Sequence, residues 1–366
     1  MSRAILLEVE PPFHLEATVR LLQRRPTGSI DRWEDQRYLR GFDSEEGLIL
    51  TSTRDRGSCD EPRLELAFPD RRPSAALAKQ LARTLRKILG LDSLPAAFAR
   101  SAAKHPALRR LAADLRGMRP PRFPTLMEAF GRIVPYQQLS LDSGTATVNR
   151  LVERFGPALR WDGASRAGTS GLVAEGEHGK RHAETKTRET KSAERKSVER
   201  KIAEVGSTGL AEDDAPGLLF HAFPSAAALA SATPEDLRAT GLSHSKARTL
   251  IDAAAALAAG TLDEAALERL PTPAAYDRLL QLWGVGPWTA SLLLLRGLGR
   301  LDAFPVGDVG AGRGLALLFG ADPATFVAEE YALAFGEQRG MLYFYALGAQ
   351  LLERGLIQPA PRPKRS

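Results

Sequence analysis

Residues 282–290 read LWGVGPWTA, two glycines one residue apart, then a proline and an apolar run. Glycine tolerates positive φ and carries no side chain, so a Gly284-Val285-Gly286 turn between two helices lets the N–H groups that open the second helix approach an anion closely. Backbone donors of this kind hold a phosphate without reading sequence. The plainer reading is a helical hairpin whose glycines serve close packing. Asp308 follows twenty residues after Trp288, behind a Gly/Pro-containing stretch, DAFPVGD, and opens another helical pattern. An aspartate there is either an N-cap or a negative charge placed to steady a developing cation. Trp283 and Trp288 are candidates to stack on a planar ligand and equally candidates for helix packing.

These residues need a scaffold, and most of the chain reads helical. Upstream of the hairpin lie FPTLMEAFGRIVPYQQLS (123–140) and SGTATVNRLVERFG (143–156), two helices or one bent pair, because Pro135 removes a backbone donor inside the first pattern. A further helical stretch, GLLFHAFPSAAALASA, resumes at 217. Thr233, Pro234, Asp236 and Gly241 mark the start and stop of the next helix. Residues 243–260 form another, from a serine cap to a glycine, and residues 273–282 deliver the chain to the hairpin. The first part of the chain differs: alternating runs at 4–9, 37–42, 47–53 and 63–68 predict a small antiparallel sheet. Leucine and isoleucine at 77, 81, 85, 88 and 89 then make one helical stripe.

Between 163 and 206 there are ten Lys or Arg against seven Glu and no aromatic residue. Such a segment buries no core. Glu184, Glu189, Glu194, Glu199 and Glu204 recur every five residues, a period that winds around a helix instead of marking one face. It reads as a charged insertion, disordered or loosely helical, with a nucleic-acid-binding arm as the alternative. The expected organisation is an N-terminal α+β domain over 1–118, a helical core from 119–162 and 217–358, the insertion at 163–216 and a basic tail at 359–366.

Composition removes several classes. The single cysteine, Cys59, excludes an intrachain disulfide, a four-cysteine zinc site and a four-cysteine iron–sulfur cluster. The spacing of His178 and His182 would suit a metal on a helix, but no acid stands in register with them, so no metal or cofactor is expected. The segment GEHGK lacks the Ser or Thr of a phosphate loop, GAGRG misses the dinucleotide spacing, and no hydrolase nucleophile motif occurs. A formal net charge of +6 makes an acidic partner, nucleic acid included, plausible. The N-terminal apolar run ends too soon for a secretory signal and no run reaches membrane-spanning length, so a soluble cytoplasmic protein is expected.

LWGVGPWTASLLLL followed by DAFPVGD, preceded by RIVPYQQLS and TGLSHSKARTLIDAAAAL, resembles the helix-hairpin-helix, Gly/Pro-rich-loop, aspartate superfamily of DNA glycosylases. The resemblance covers roughly residues 120–350 outside the insertion. The small N-terminal sheet with its helices is similar to the extra domain of the alkylpurine branch, the DNA-3-methyladenine glycosylase II type. It implies a mainly α protein with a small N-terminal α+β domain and a two-lobed, all-helical core. By position, Gly284, Val285, Gly286, Trp288 and Thr289 would form the hairpin that binds a DNA phosphate, and Asp308 would be the catalytic aspartate. In family members that also nick the strand, a lysine opens the hairpin's second helix and forms a Schiff base. Trp288 stands there instead, which implies a monofunctional enzyme that leaves an abasic site. Gln138, flanked by Tyr136 and Leu139, would wedge into the gap left by a flipped base, although glutamines at a bend are equally solvated polar residues. Trp288, Trp283 and Tyr343 would be pocket aromatics. Val309 and Gln338 stand where the family can place a tyrosine and a tryptophan, which leaves the substrate range open. Arg132, Lys246, Arg248, Arg296 and Arg313 are candidate DNA backbone contacts. The implied partner is double-stranded DNA with damaged bases, bound by a monomer and without a membrane. The rival readings are a non-catalytic lesion- or structure-binding protein, in which Asp308 is only a cap, and a glycosylase for uracil or another damaged base.

Overall fold

The computed structural model describes residues 4–93, 96–161 and 218–362. The described residues up to Leu159 and from Leu219 onward fold as one compact unit. The pentad repeat and the His178/His182 pair fall outside the described residues.

The chain opens with β1 (Ile5–Leu7) and α1 (Leu15–Gln23), then β2 (Arg32–Glu34), β3 (Arg37–Phe42), β4 (Ile49–Asp55) and β5 (Leu64–Ala67). The antiparallel sheet has the order β1-β5-β4-β3-β2. Its register places Ile5 opposite Leu66 and Tyr38 opposite Thr53. Strand β5 alternates as its sequence demands, with Leu64 and Leu66 buried. Strand β2 is absent from the sequence expectation because its turn has no glycine: Asp35 and Gln36 both take positive φ, 48° and 58°. Those are the angles a two-residue hairpin requires.

Next come α2 (Ala75–Ile88), α3 (Ala96–Lys104) and α4 (Arg109–Asp114). Ser74 caps α2, and Leu77, Leu81, Leu85 and Ile88 form its buried stripe. The core region then follows with α5 (Leu126–Ile133), a 3-10 turn (Val134–Tyr136) and α6 (Leu141–Phe155). Pro135 sits inside the 3-10 turn, and Ser140 caps α6. A second, two-stranded sheet consists of β6 (Ala158–Trp161) and β7 (Leu218–His221). Here the expected helix at 217 is corrected: Leu218–His221 are strand, and helix begins only at α7 (Ala226–Ala230). A short apolar run does not distinguish the two states.

The remaining helices are α8 (Pro234–Arg238), α9 (His244–Ala258), α10 (Glu264–Arg269), α11 (Thr272–Leu280), α12 (Pro287–Leu292), α13 (Val309–Phe319), α14 (Ala328–Leu333) and α15 (Met341–Glu353). A π turn, Leu293–Gly297, extends α12. Thr233 and Asp236 close a capping box on α8. One continuous apolar core, from Leu7 to Ile357, runs beneath the sheet and the helices.

A buried ionic cluster crosses this core. The Asp31 carboxylate, wholly inaccessible to solvent, accepts from Tyr38 at 2.6 Å and from Arg40 at 2.7 Å. Arg40 also reaches Glu128 on α5, and Arg132, one turn further, bonds both Glu128 and Asp31. Burial works to raise the pKa of Asp31, but the charges of Arg132 and Arg40 outweigh it and hold the carboxyl well below its usual range. The cluster ties the strand region to the helix that leads into residues 134–140.

Candidate active site

The hairpin is made by the end of α11 and the start of α12. Gly284 has φ +73°, and a Cβ added there would stand 1.9 Å from Thr249 Oγ1 on α9. Conformation and space therefore both require glycine. Gly286 occupies the N-cap of α12 in extended conformation, with no side-chain cap, and a Cβ there would meet nothing within 4 Å. Pro287 has no N–H, so the amides of Trp288 and Thr289 remain in the first turn without an intrahelical acceptor. Val285 is buried beneath the turn, with its N–H on Leu282 O at 3.2 Å.

Asp308 is the N-cap of α13. Its Oδ1 accepts from the amide of Ala311 at 2.8 Å, and its Oδ2 accepts from the indole Nε1 of Trp288 at 3.0 Å. Each carboxylate oxygen has two lone pairs, so the two bonds fix the group's orientation and leave acceptor capacity free. Trp288 is half-buried and packs against the core. The preceding loop is held by Glu329, whose Oε1 accepts from Gly307 N at 2.5 Å. Behind the loop lies a cavity of about 300 Å³ bordered by Tyr276, Phe304, Val306 and Leu333; neither Asp308 nor Trp288 lines it.

The segment after α5 presents Gln138 at its tip. Gln138 is exposed and adopts φ +55°, a conformation costly for a residue with a Cβ. Leu139 beside it is also exposed. Tyr136 instead lies against Gly144 of α6, with its hydroxyl 3.1 Å from Thr145 Oγ1. The neighbouring Gln137 reaches across: its Nε2 donates to Thr289 Oγ1 at 2.9 Å and to Gly284 O at 3.3 Å. The Thr289 hydroxyl thus faces inward, where the residue is buried.

The other sequence-derived candidates are spread more widely. Trp283 is 53% exposed, and the Arg248 guanidinium lies 4.0 Å over its ring. Tyr343 is 2% exposed and packs edge-on against Phe344 at 5.6 Å, so its ring offers no open face. Gln338 accepts from the amide of Phe98 at 3.0 Å, and Val309 is 65% exposed. Arg132 belongs to the buried cluster, and Arg313 is exposed. Arg296 is buried, its side chain donating to Leu21 O at 3.1 Å, and burial pushes its pKa down to about 10. Lys246 is turned onto carbonyls of the chain itself. The pairing of Trp288 with Asp308 had no signal in the sequence beyond the residues themselves.

Two protein-family models match the chain. Residues 180–333 match the HhH-GPD superfamily base excision DNA repair protein family, and residues 4–124 match the AlkA N-terminal domain. The chain thus carries an HhH-GPD domain behind an AlkA-type N-terminal domain. It is 23% identical over 232 residues to a DNA-3-methyladenine glycosylase of Bacillus subtilis, an alignment covering 63% of this chain and 59% of the relative. The chain spans less than two thirds of the length of the curated relatives it matches, from 31% to 59%. Among solved structures, 3-methyladenine DNA-glycosylase from Archaeoglobus fulgidus shares the fold with a TM-score of 0.66 at 20% identity, over 95% of this chain and 98% of that one. An 8-oxoguanine glycosylase/lyase of Clostridium acetobutylicum, in complex with double-stranded DNA, shares it at a TM-score of 0.62 and 13% identity, over 97% and 99%. Among the described residues, no helix is long and apolar enough to cross a membrane.

Proposed function

We propose that the protein is a monofunctional DNA glycosylase of base excision repair that removes alkylated purines of the 3-methyladenine type from double-stranded DNA and leaves an abasic site. The observation that carries this reading is the indole bond from Trp288 to Asp308. In this reading the amides at the start of α12 hold a phosphate beside the lesion, and Gln138 with Leu139 fills the stack as the damaged nucleotide turns out. Departure of the base leaves a sugar with oxocarbenium character. Asp308 stabilises that cation and assists the water that attacks C1′. A purine alkylated at N3 or N7 is already cationic and leaves with little acid help. Trp288 has no amine with which to form a Schiff base, so the strand stays intact. The protein works as a monomer on bacterial DNA in the cytoplasm.

The test is incubation with methylated duplex DNA, with the released bases separated by chromatography. The expected products are 3-methyladenine or 7-methylguanine, a strand that breaks only after heating in alkali, and no borohydride-trapped covalent complex. Strand cleavage by the protein itself would contradict the monofunctional assignment. One observation favours a second reading, a glycosylase for uracil or another damaged base: Tyr343 is buried and Gln338 is tied to Phe98, which leaves fewer aromatic faces for a cationic purine. Uracil-containing duplex in the same assay decides between them.

A further inference from the structure

Lys246 lies on α9 between the two loops of the site. Its ammonium donates to the carbonyl of Pro135 at 3.1 Å and to that of Gln137 at 2.5 Å. Those carbonyls close the 3-10 turn, immediately before Gln138 takes its positive φ. From the same helix, three residues on, Thr249 packs against Gly284 of the hairpin. Gln137 completes the connection by bonding Thr289 Oγ1 and Gly284 O. An ammonium has three donors and no acceptor. Two of them are spent on the wedge loop, and burial lowers the pKa of the lysine. The charge is therefore committed to backbone dipoles within the protein.

We infer that Lys246 and Gln137 are positioning residues that couple phosphate capture by the hairpin to the posture of the Gln138 wedge. The inference rests on the reading of residues 134–140 as a DNA wedge. Lys246 supplies a rigid anchor for the carbonyl end of the turn, so that Gln138 is held in its strained conformation before DNA arrives. Gln137 makes the hairpin and the wedge move as one piece. A hairpin seated on a phosphate then delivers the wedge at a fixed distance from the lesion. Without the lysine the loop relaxes from the positive φ of Gln138, and insertion must be accompanied by reordering.

This differs from a direct DNA contact in what salt reveals. A lysine that neutralises a phosphate contributes to the slope of log K against log salt, and its loss reduces that slope by about 0.9. A positioning lysine leaves the slope alone. The probe is a duplex with a tetrahydrofuran abasic analogue opposite 2-aminopurine, whose fluorescence rises when a side chain enters the stack; anisotropy reports binding on the same sample. For Lys246→Met and Gln137→Ala the expected result is a several-fold smaller fluorescence change at saturation, with the salt slope of the wild type. Combining Lys246→Met with Gln138→Ala is expected to lower the signal no further than Gln138→Ala alone, because both act through one device. Gln137→Ala removes a partly exposed side chain and keeps the test informative should the lysine variant fold poorly. A slope reduced by about one unit in Lys246→Met would make Lys246 a phosphate contact and overturn the inference. So would a full fluorescence change in both variants. Tight binding by the wild type with no fluorescence change at all would remove the wedge reading itself, and the inference with it.

Discussion

Asp308 uses its two oxygens differently, one to cap α13 and the other to receive the indole of Trp288. Capping and catalysis were competing explanations of this aspartate in the sequence, yet the geometry accommodates both, since the cap orients the carboxylate. Trp288→Phe keeps the ring and removes the donor. A hydrogen bond to a charged group contributes about 1.5–3 kcal/mol, so single-turnover excision by this variant is expected to fall by roughly 10- to 100-fold with unfolding little changed. An unaltered rate would show that the indole bond does not orient the carboxylate. The hairpin and the aspartate were legible because glycine and proline announce special backbone, and because an aspartate at a loop–helix junction has few uses. Tyr343 was not legible: whether an aromatic side chain faces a pocket or the core depends on helices that the local pattern does not place.

The two hairpin glycines do different work at the scale of the element. Gly284 needs positive φ and a neighbour within 2 Å of where a Cβ would be, whereas Gly286 has negative φ and open space. Gly284→Ala is expected to destabilise the fold by about 1–3 kcal/mol from backbone strain alone, read as a lower unfolding midpoint. Gly286→Ala is expected to leave the midpoint within about 2 °C while weakening DNA affinity, because a methyl group then stands at the mouth of the amide nest. Equal loss of stability in both would contradict this division. Element types followed periodicity where it was long: the stripe of α2 is buried as its spacing requires. They failed where pairing decides, as at β2, whose turn has no glycine, and at β7, where three apolar residues and a histidine carry no period.

Across the whole molecule, the buried cluster of Asp31, Tyr38, Arg40, Glu128 and Arg132 joins residues 88 and 101 positions apart. No local pattern announces such a cluster; only the folded chain brings its charges together. Removing one member strands the others, which typically costs about 3–5 kcal/mol, so Asp31→Asn is expected to lower stability by that order at pH 7. The folded pKa of Asp31 is depressed, so its contribution is complete above the unfolded value of about 3.9 and is lost as pH falls through the folded value. Denaturant unfolding at pH 7 and pH 3 should show the gap between wild type and Asp31→Asn narrowing in acid; a constant gap would contradict the ionic role. The same cluster fixes α5, and through it the loop that carries Gln138 and joins the hairpin through Gln137. The bond from Trp288 of that hairpin to Asp308 is the basis for reading the molecule as an enzyme and not a DNA binder. The direct test is single-turnover release of methylated purines from duplex DNA by Asp308→Asn beside the wild type, with DNA affinity measured in parallel. Asparagine keeps an oxygen for the cap but loses the negative charge. The account predicts retained binding and release slowed by at least about 100-fold; release at the wild-type rate would contradict it.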